Sequence, residues 1–290
     1  MSMQASELIL NPNGSIYHLH LKPGDIATTI ITVGDPERVE QVTRHFDRIE
    51  LTAQHREFKT QTGYCNGKRL TVISTGIGSG NIDIVLNELD ALVNIDFETR
   101  AIKTEKTQLT FIRVGTSGAI QPEIPLDSFI VSEIGVGLDN LLHFYDIPQD
   151  AFLEDFASEL MSHSFWNVNN SRPYAVEADA SLLAQFSVAP FGKGITVTNV
   201  GFYGPQGRVL RLPIFNTELS NSLASFRYHA GTITNLEMET APLYGMSKLL
   251  GHKALSLNAI LANRAHGTFS EHPSKTIETL ISKTLEILTQ

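Results

Sequence analysis

The chain has 290 residues, 42% hydrophobic and 18% charged with 21 glycines, a composition that excludes a disordered or collagen-like protein and leaves room for a sizeable core. Its formal net charge of -9 argues against a broad surface for nucleic acid or anionic membrane, so an anion would have to be met in a pocket where a few arginines converge. The single cysteine, Cys65, excludes an internal disulfide and is a poor zinc ligand alone, so it reads as a structural strand residue.

The N-terminal "MSMQASELIL" has no basic region followed by a long apolar run, and nowhere do eighteen apolar residues stand together; the expectation is a soluble, cytoplasmic protein. "TTIITVGDPERVEQVTRHF" begins as a β-branched run to Val33, breaks at Gly34, and continues with Val39, Val42 and Phe46 at helical spacing. Asp35 is placed to cap that helix and Pro36 suits its first turn. The pattern recurs as a strand in "RLTVIST", a tight turn in "GIGSG", and a helix whose buried stripe is Ile82, Val85, Leu86 and Leu89. Further strands are expected over 109–115, 128–138, 194–200 and 253–264, and helices over 151–163, 237–250 and 274–288. Alternating strands and helices predict an α/β fold. With no repeat, linker or low-complexity block, the expectation is one domain over residues 1–290, with the polar segment 94–108 as a surface excursion.

In open α/β sheets ligands gather at the carboxyl ends of strands, so the polar residues found there matter most. Gly34 and Arg38 follow one strand, while Arg113 and Thr116 in "FIRVGTSGAI" surround the end of another. Glycine permits close backbone approach, threonine brings a hydroxyl and arginine a forked donor, which together describe an oxyanion pocket. Each piece also has a plain structural reading, as a capped helix start or a strand end. "GIGSG" lacks the lysine of a Walker motif and the full dinucleotide fingerprint, so neither ATP nor NAD is supported. In "NLEMETA", Glu237 and Glu239 could grip sugar hydroxyls, bind a metal or cap a helix. In "GFYGPQGR", Gln206 and Arg208 beside two aromatics could meet a carboxylate, a phosphate or a nucleobase edge, or simply decorate a surface loop.

Taken in order, "VGDPERV", "HREFKTQTGYCNGKRLTVISTGIGSGNIDIVLNEL", "FIRVGTSGAIQP", "GFYGPQGR", "NLEMETAPL" and "ANR" resemble the nucleoside phosphorylase-I family, and within it the branch that cleaves uridine. The likeness runs from about residue 16 to the C-terminus. It implies a single α/β domain with a twisted mixed central β-sheet flanked by helices. It also implies phosphorolysis, with uridine and inorganic phosphate as substrates, no organic cofactor, and a homo-oligomer whose sites are shared between subunits, as a dimer unit or a hexamer.

By the matching motifs, the resemblance implies that Gly34, Arg38, Arg113 and Thr116 hold phosphate and that Arg56 reaches into a neighbouring subunit's site. His18 would cross the same interface to the ribose 5'-hydroxyl; Glu237, Met238 and Glu239 would bind ribose; Phe202, Gln206 and Arg208 would form the uracil pocket. The chain departs from the family in its longer connection over Asn94 to Gln108, and in "GSGN" where relatives have "GGPS". The second departure bears on a monovalent cation site that some relatives build with a residue matching Glu57, and no metal is assigned. Rival readings are a purine nucleoside phosphorylase or nucleosidase of the same superfamily and a non-catalytic nucleoside-binding protein. Purine-specific members typically carry an aspartate where this chain has Asn263 and Arg264, and three matched arginines favour phosphate over water.

Overall fold

The computed structural model describes residues 2–148, 151–163 and 166–290. The first half runs β1 (Thr29–Val33), α1 (Pro36–Thr43), β2 (Arg48–His55), β3 (Phe58–Cys65), β4 (Lys68–Ser74) and α2 (Ser79–Asn94). A small hairpin of β5 (Ile95–Asp96) and β6 (Ala101–Ile102) precedes the long β7 (Thr110–Ala119) and β8 (Phe129–Gly137). Then come α3 (Glu154–His163), β9 (Tyr174–Glu177), α4 (Ala180–Phe186), β10 (Phe191–Thr198), α5 (Leu219–Ser225), β11 (Arg227–Tyr228) and β12 (Gly231–Glu237). The chain closes with α6 (Thr240–Leu250), β13 (Lys253–Asn263), β14 (Thr268–Phe269) and α7 (Pro273–Leu288).

The mixed main sheet is ordered β11-β12-β10-β8-β13-β7-β1-β4-β3-β2, with β14 on β13, β9 on β8, and a further pairing of β12 with β7. That last pairing closes β7, β13, β8, β10 and β12 into a ring, while β1, β4, β3 and β2 extend from β7 as an open wing. Strand residues alternate between two cores, as the two-residue period requires. Ile30, Ile73 and Phe111 pack with α2 and α6, whereas Ile31, Val72 and Ile112 pack with α1 and α7. Both faces are covered, which explains the nearly continuous apolar runs in β1, β4 and β7.

The expected helix stripes are present: Val39 and Val42 of α1, the four named residues of α2, and Leu280, Ile281, Leu285 and Leu288 of α7 are all buried. Asp35 caps α1, its carboxylate accepting from the Glu37 amide at 2.9 Å. Two placements differ from the sequence expectations, and a third gains detail. Arg113 and Thr116 lie inside β7, which continues to Ala119. Glu237 is the last residue of β12 and not the first of a helix. The polar segment 94–108 contains the β5–β6 hairpin and is tied down by the N-terminal segment, with Arg100 Nη1 donating to the Leu8 carbonyl at 2.7 Å. Among the described residues, no helix is long and apolar enough to cross a membrane.

Candidate active site

The site grows from a seam in the sheet. Along one edge of β7, Thr110–Arg113 pair in parallel with Thr29–Thr32 of β1, and further on Gly118 and Ala119 pair antiparallel with Leu236 and Asn235 of β12. Between them, residues 114–117 have no ladder partner on that side. β1 ends at Val33 and β12 at Glu237, so the residues that follow each strand face one another across this opening.

On the wing side, the ends of β1 and β4 approach so closely that a Cβ at Gly34 would stand 3.6 Å from the Gly76 carbonyl oxygen. Arg38, in the first turn of α1, crosses the seam and brings Nη1 to 3.5 Å from the Val114 carbonyl, which is too long for a strong hydrogen bond. Burial, and then the neighbouring Arg113 guanidinium, hold its pKa below the ordinary arginine range. Its charge is poorly neutralised within the chain, as an anion site requires.

On the ring side, Arg113 is buried between two carboxylates. Nη2 lies 3.0 Å from Glu237 Oε2 and is hydrogen-bonded to Glu239 Oε2, while Nη1 donates to Asn258 Oδ1 at 3.0 Å. Burial works against the charge, but Glu237 and Glu239 outweigh it and raise the Arg113 pKa. Glu237 is heavily engaged: it accepts from the amides of Glu239 at 2.8 Å and Thr240 at 3.0 Å and from Thr198 Oγ1 at 2.6 Å, which seats the start of α6. Glu239 accepts from Arg113 and from the Gly78 amide at 2.7 Å. Burial raises the Glu239 pKa, with Arg113 opposing and Glu237 reinforcing the shift. Met238 sits half-buried between these two acids in sequence, and Thr116 is half-buried on β7.

The loop that follows β10 folds on itself. Gly207 takes φ 73°, the left-handed conformation glycine tolerates, as the Arg208 amide turns back to the Tyr203 carbonyl at 2.9 Å. Arg208 lies over the Phe202 ring at 3.8 Å and donates from Nη1 to the Phe202 carbonyl at 2.6 Å and to Gln206 Oε1 at 2.5 Å. Gln206 is buried whereas Phe202 and Tyr203 are about half exposed. Arg264 joins this group from the end of β13: its amide donates to the Ala119 carbonyl at 2.8 Å, and Nη2 lies 3.7 Å from where a Cβ at Gly207 would stand. Its Nη1 is enclosed with no hydrogen-bond partner among the described residues. In the sequence Arg264 stands only as a marker against purines; its approach to Arg208 depends on β13 and β10 both flanking β8 in one sheet, which no local pattern reveals. A cavity of about 860 Å³ is lined by Tyr203, Pro205 and Arg208 together with Asn199 and Trp166, and Arg38, Arg113 and Glu239 do not line it.

His18 comes from the N-terminal segment and Arg56 from the turn between β2 and β3. His18 Nδ1 meets Glu88 of α2 at 2.6 Å, and its carbonyl faces His55 Nδ1 at 3.0 Å, next to Arg56 at the β2–β3 turn. Arg56 is exposed and adopts φ 54°. Among the described residues, neither side chain is hydrogen-bonded to Arg38, Arg113 or Glu239. Glu57 accepts from Asn81 Nδ2 at 3.2 Å, and no cluster of three or more acidic, histidine or cysteine side chains suited to a metal occurs among the described residues.

A mixed sheet flanked by helices in this arrangement is the fold of nucleoside phosphorylases. A Trypanosoma brucei nucleoside phosphorylase described as showing uridine phosphorylase activity superposes with a TM-score of 0.86 at 25% identity, covering 97% of this chain and 99% of that one. The model of the phosphorylase superfamily matches residues 28–290, and the chain belongs to that family. It is similar to the uridine phosphorylase of Thermococcus kodakarensis, 31% identical over 280 residues, covering 96% of this chain and 88% of the relative. It is also similar to a DeoD-type purine nucleoside phosphorylase of Alkaliphilus metalliredigens, 30% identical over 277 residues, covering 93% and 98%.

Proposed function

We propose that this chain cleaves uridine with inorganic phosphate to give uracil and ribose 1-phosphate, a step of pyrimidine salvage. The observation that carries the reading is the pairing of Arg113 with Glu239 across the seam from Arg38, which sets an anion site against a sugar site. Gly34, Arg38 and Thr116 hold phosphate, with Arg113 as the charge behind them. Glu239 and Met238 bind ribose, Glu237 keeping the turn between them rigid. A phosphate oxygen attacks C1' as the C1'–N1 bond breaks, the electron pair passing into the pyrimidine, which leaves as an anion and takes up a proton. Positive charge on the sugar is met by phosphate, and negative charge on the base by donors from Gln206, Arg208 and Arg264, with Phe202 against the ring. The reaction needs no metal or organic cofactor.

His18 and Arg56 complete the site of a neighbouring subunit, which makes the protein a homo-oligomer, with the dimer as its functional unit. The exposure of Arg56, and the lack of a hydrogen bond from either side chain to Arg38 or Arg113 among the described residues, support this assignment. The protein works as one unit over residues 1–290, in the cytoplasm. Against a purine substrate stands Asn263, whose Nδ2 donates to the Gln121 and Ile124 carbonyls at 3.0 and 2.8 Å and so holds a loop in place. The deciding experiment is base release from uridine and from inosine with and without phosphate. Uracil release that depends on phosphate is expected; equal release without it, or faster cleavage of inosine, overturns the reading.

A further inference from the structure

Inside the ring of β7, β13, β8, β10 and β12, one line of buried hydrogen bonds has a fixed direction. Arginine can only donate, so the atom of Asn258 facing Arg113 Nη1 at 3.0 Å must be Oδ1. Asn258 Nδ2 then faces Ser132 Oγ at 3.1 Å and Ser256 Oγ at 3.2 Å, and both hydroxyls must accept. Ser132 spends its own proton on Thr196 Oγ1 at 2.5 Å, Thr196 donates to Asn235 Oδ1 at 3.0 Å, and Asn235 Nδ2 donates to Ser117 Oγ at 2.9 Å. Asn258 stands in register with Gly115 on the neighbouring strand, and the missing side chain at Gly115 is what lets the Arg113 guanidinium lie down and reach it.

We infer that Asn258 is a positioning residue for the anion site, aiming Arg113 with a neutral acceptor. The neutrality matters. Arg113 already faces two carboxylates, Glu237 and Glu239, so a third on this guanidinium would add negative charge behind the anion site and repel phosphate. An amide also has the two donors that Ser132 and Ser256 need, which a carboxylate lacks. Asn258 does not touch substrate in this arrangement; it acts through Arg113.

The inference rests on the phosphorolysis reading, and the test separates the two. Steady-state kinetics with phosphate and uridine varied independently would be measured for the unmutated protein, Asn258→Ala and the isosteric Asn258→Asp, with thermal unfolding of each. The KM for phosphate should rise about tenfold in Asn258→Ala and more in Asn258→Asp, with the KM for uridine within about twofold of the unmutated value. If Asn258→Ala fails to fold, Asn258→Asp, which keeps the shape and the acceptor, carries the test. Equal rises in both KM values, or an unchanged phosphate KM, would overturn the role of Asn258. Phosphate-independent cleavage by the unmutated protein would instead overturn the phosphorolysis reading.

Discussion

The guanidinium of Arg113 lies flat against Gly115, two residues along the same strand: a Cβ at 115 would stand 1.9 Å from Arg113 Nη1 and 2.5 Å from Cζ. Strand residues two apart share a face, so any side chain at 115 competes for the space the guanidinium fills. Gly115→Ala should therefore displace Arg113 from Asn258 and Glu239. We expect a loss of about 1–3 kcal/mol in stability from overpacking, and a fall of about a hundredfold in turnover efficiency for phosphate. Thermal unfolding and phosphate-dependent kinetics check this, and an alanine variant with an unchanged phosphate KM contradicts it.

Arg38 and Arg113 should respond differently to truncation. Removing Arg113 leaves Glu237 and Glu239 buried without their counter-charge, and breaking such an arrangement costs about 3–5 kcal/mol. Among the described residues the Arg38 side chain makes one hydrogen bond, a long contact to a carbonyl, so Arg38→Ala should stay within about 1 kcal/mol of the original stability. It should nevertheless reduce phosphate-dependent efficiency about a hundredfold. Arg38→Ala is thus the cleaner probe of phosphate binding, and full activity in that variant would remove Arg38 from the site.

Selectivity for uracil should reside in the loop after β10. Gln206 is buried with Oε1 already accepting from Arg208, which fixes the amide and leaves the two donors on Nε2 for another acceptor. Cytosine carries an amino donor at position 4 where uracil carries a carbonyl acceptor, so it meets donors with a donor, and mismatched buried polar groups discriminate by as much as roughly 10⁴-fold. Gln206→Ala should lower uridine efficiency about a hundredfold and harm cytidine and inosine much less. Kinetics on the three nucleosides decide; an unchanged order and spread of preference would place selectivity elsewhere.

Shared sites predict complementation. Arg56→Ala and Arg38→Ala proteins should each be nearly inactive, yet subunits exchanged between them should form sites in which both arginines are intact. The assay is activity before and after mixing under conditions that exchange subunits, with sedimentation to follow the oligomer. A fully active monomer, or mixing without recovery despite proven exchange, counts against the arrangement.

The raised pKa of Glu239 gives a pH signature. On the proposed role its ionised form would accept ribose hydroxyls and its protonated form would lose an acceptor, so nucleoside binding should weaken as pH falls through the folded-state value. Burial places that value above the ordinary 4.5 of glutamate. Uridine affinity measured by calorimetry without phosphate, which removes the titration of phosphate itself, should show this midpoint. A midpoint at or below 4.5 would exclude Glu239 as the titrating group.

Local chemistry was legible from the chain and remote pairing was not. Asp35, Pro36 and the stripe of α1 act within a few residues of one another, and the structure matches their reading closely. The short "GTITNLE" of β12 carries Asn235 and ends in an acid, so it reads weakly as a strand; pairing with β10 and β7 is what stabilises it. For the same reason the pattern extends a helix back to Glu237. The β2–β3 hairpin lies at the sheet edge, where β2 has mostly exposed or half-exposed side chains and no clear apolar alternation. Arg113 and Thr116 are visible as candidates, but the burial of Arg113 between two acids depends on a strand more than a hundred residues downstream.

The seam beside β7 also has a mechanical meaning. Gly34 and Arg38 belong to the open wing, and Glu237 and Glu239 to the closed ring, so on the proposed reading a phosphate and a ribose held together would act as a rivet between two parts of the sheet. Without them, the joint along this edge is β7 itself and the hydrogen bond from the Gly78 amide to Glu239. With them it would be stitched from both banks, which would make the molecule stiffest when the reacting atoms must be held in line.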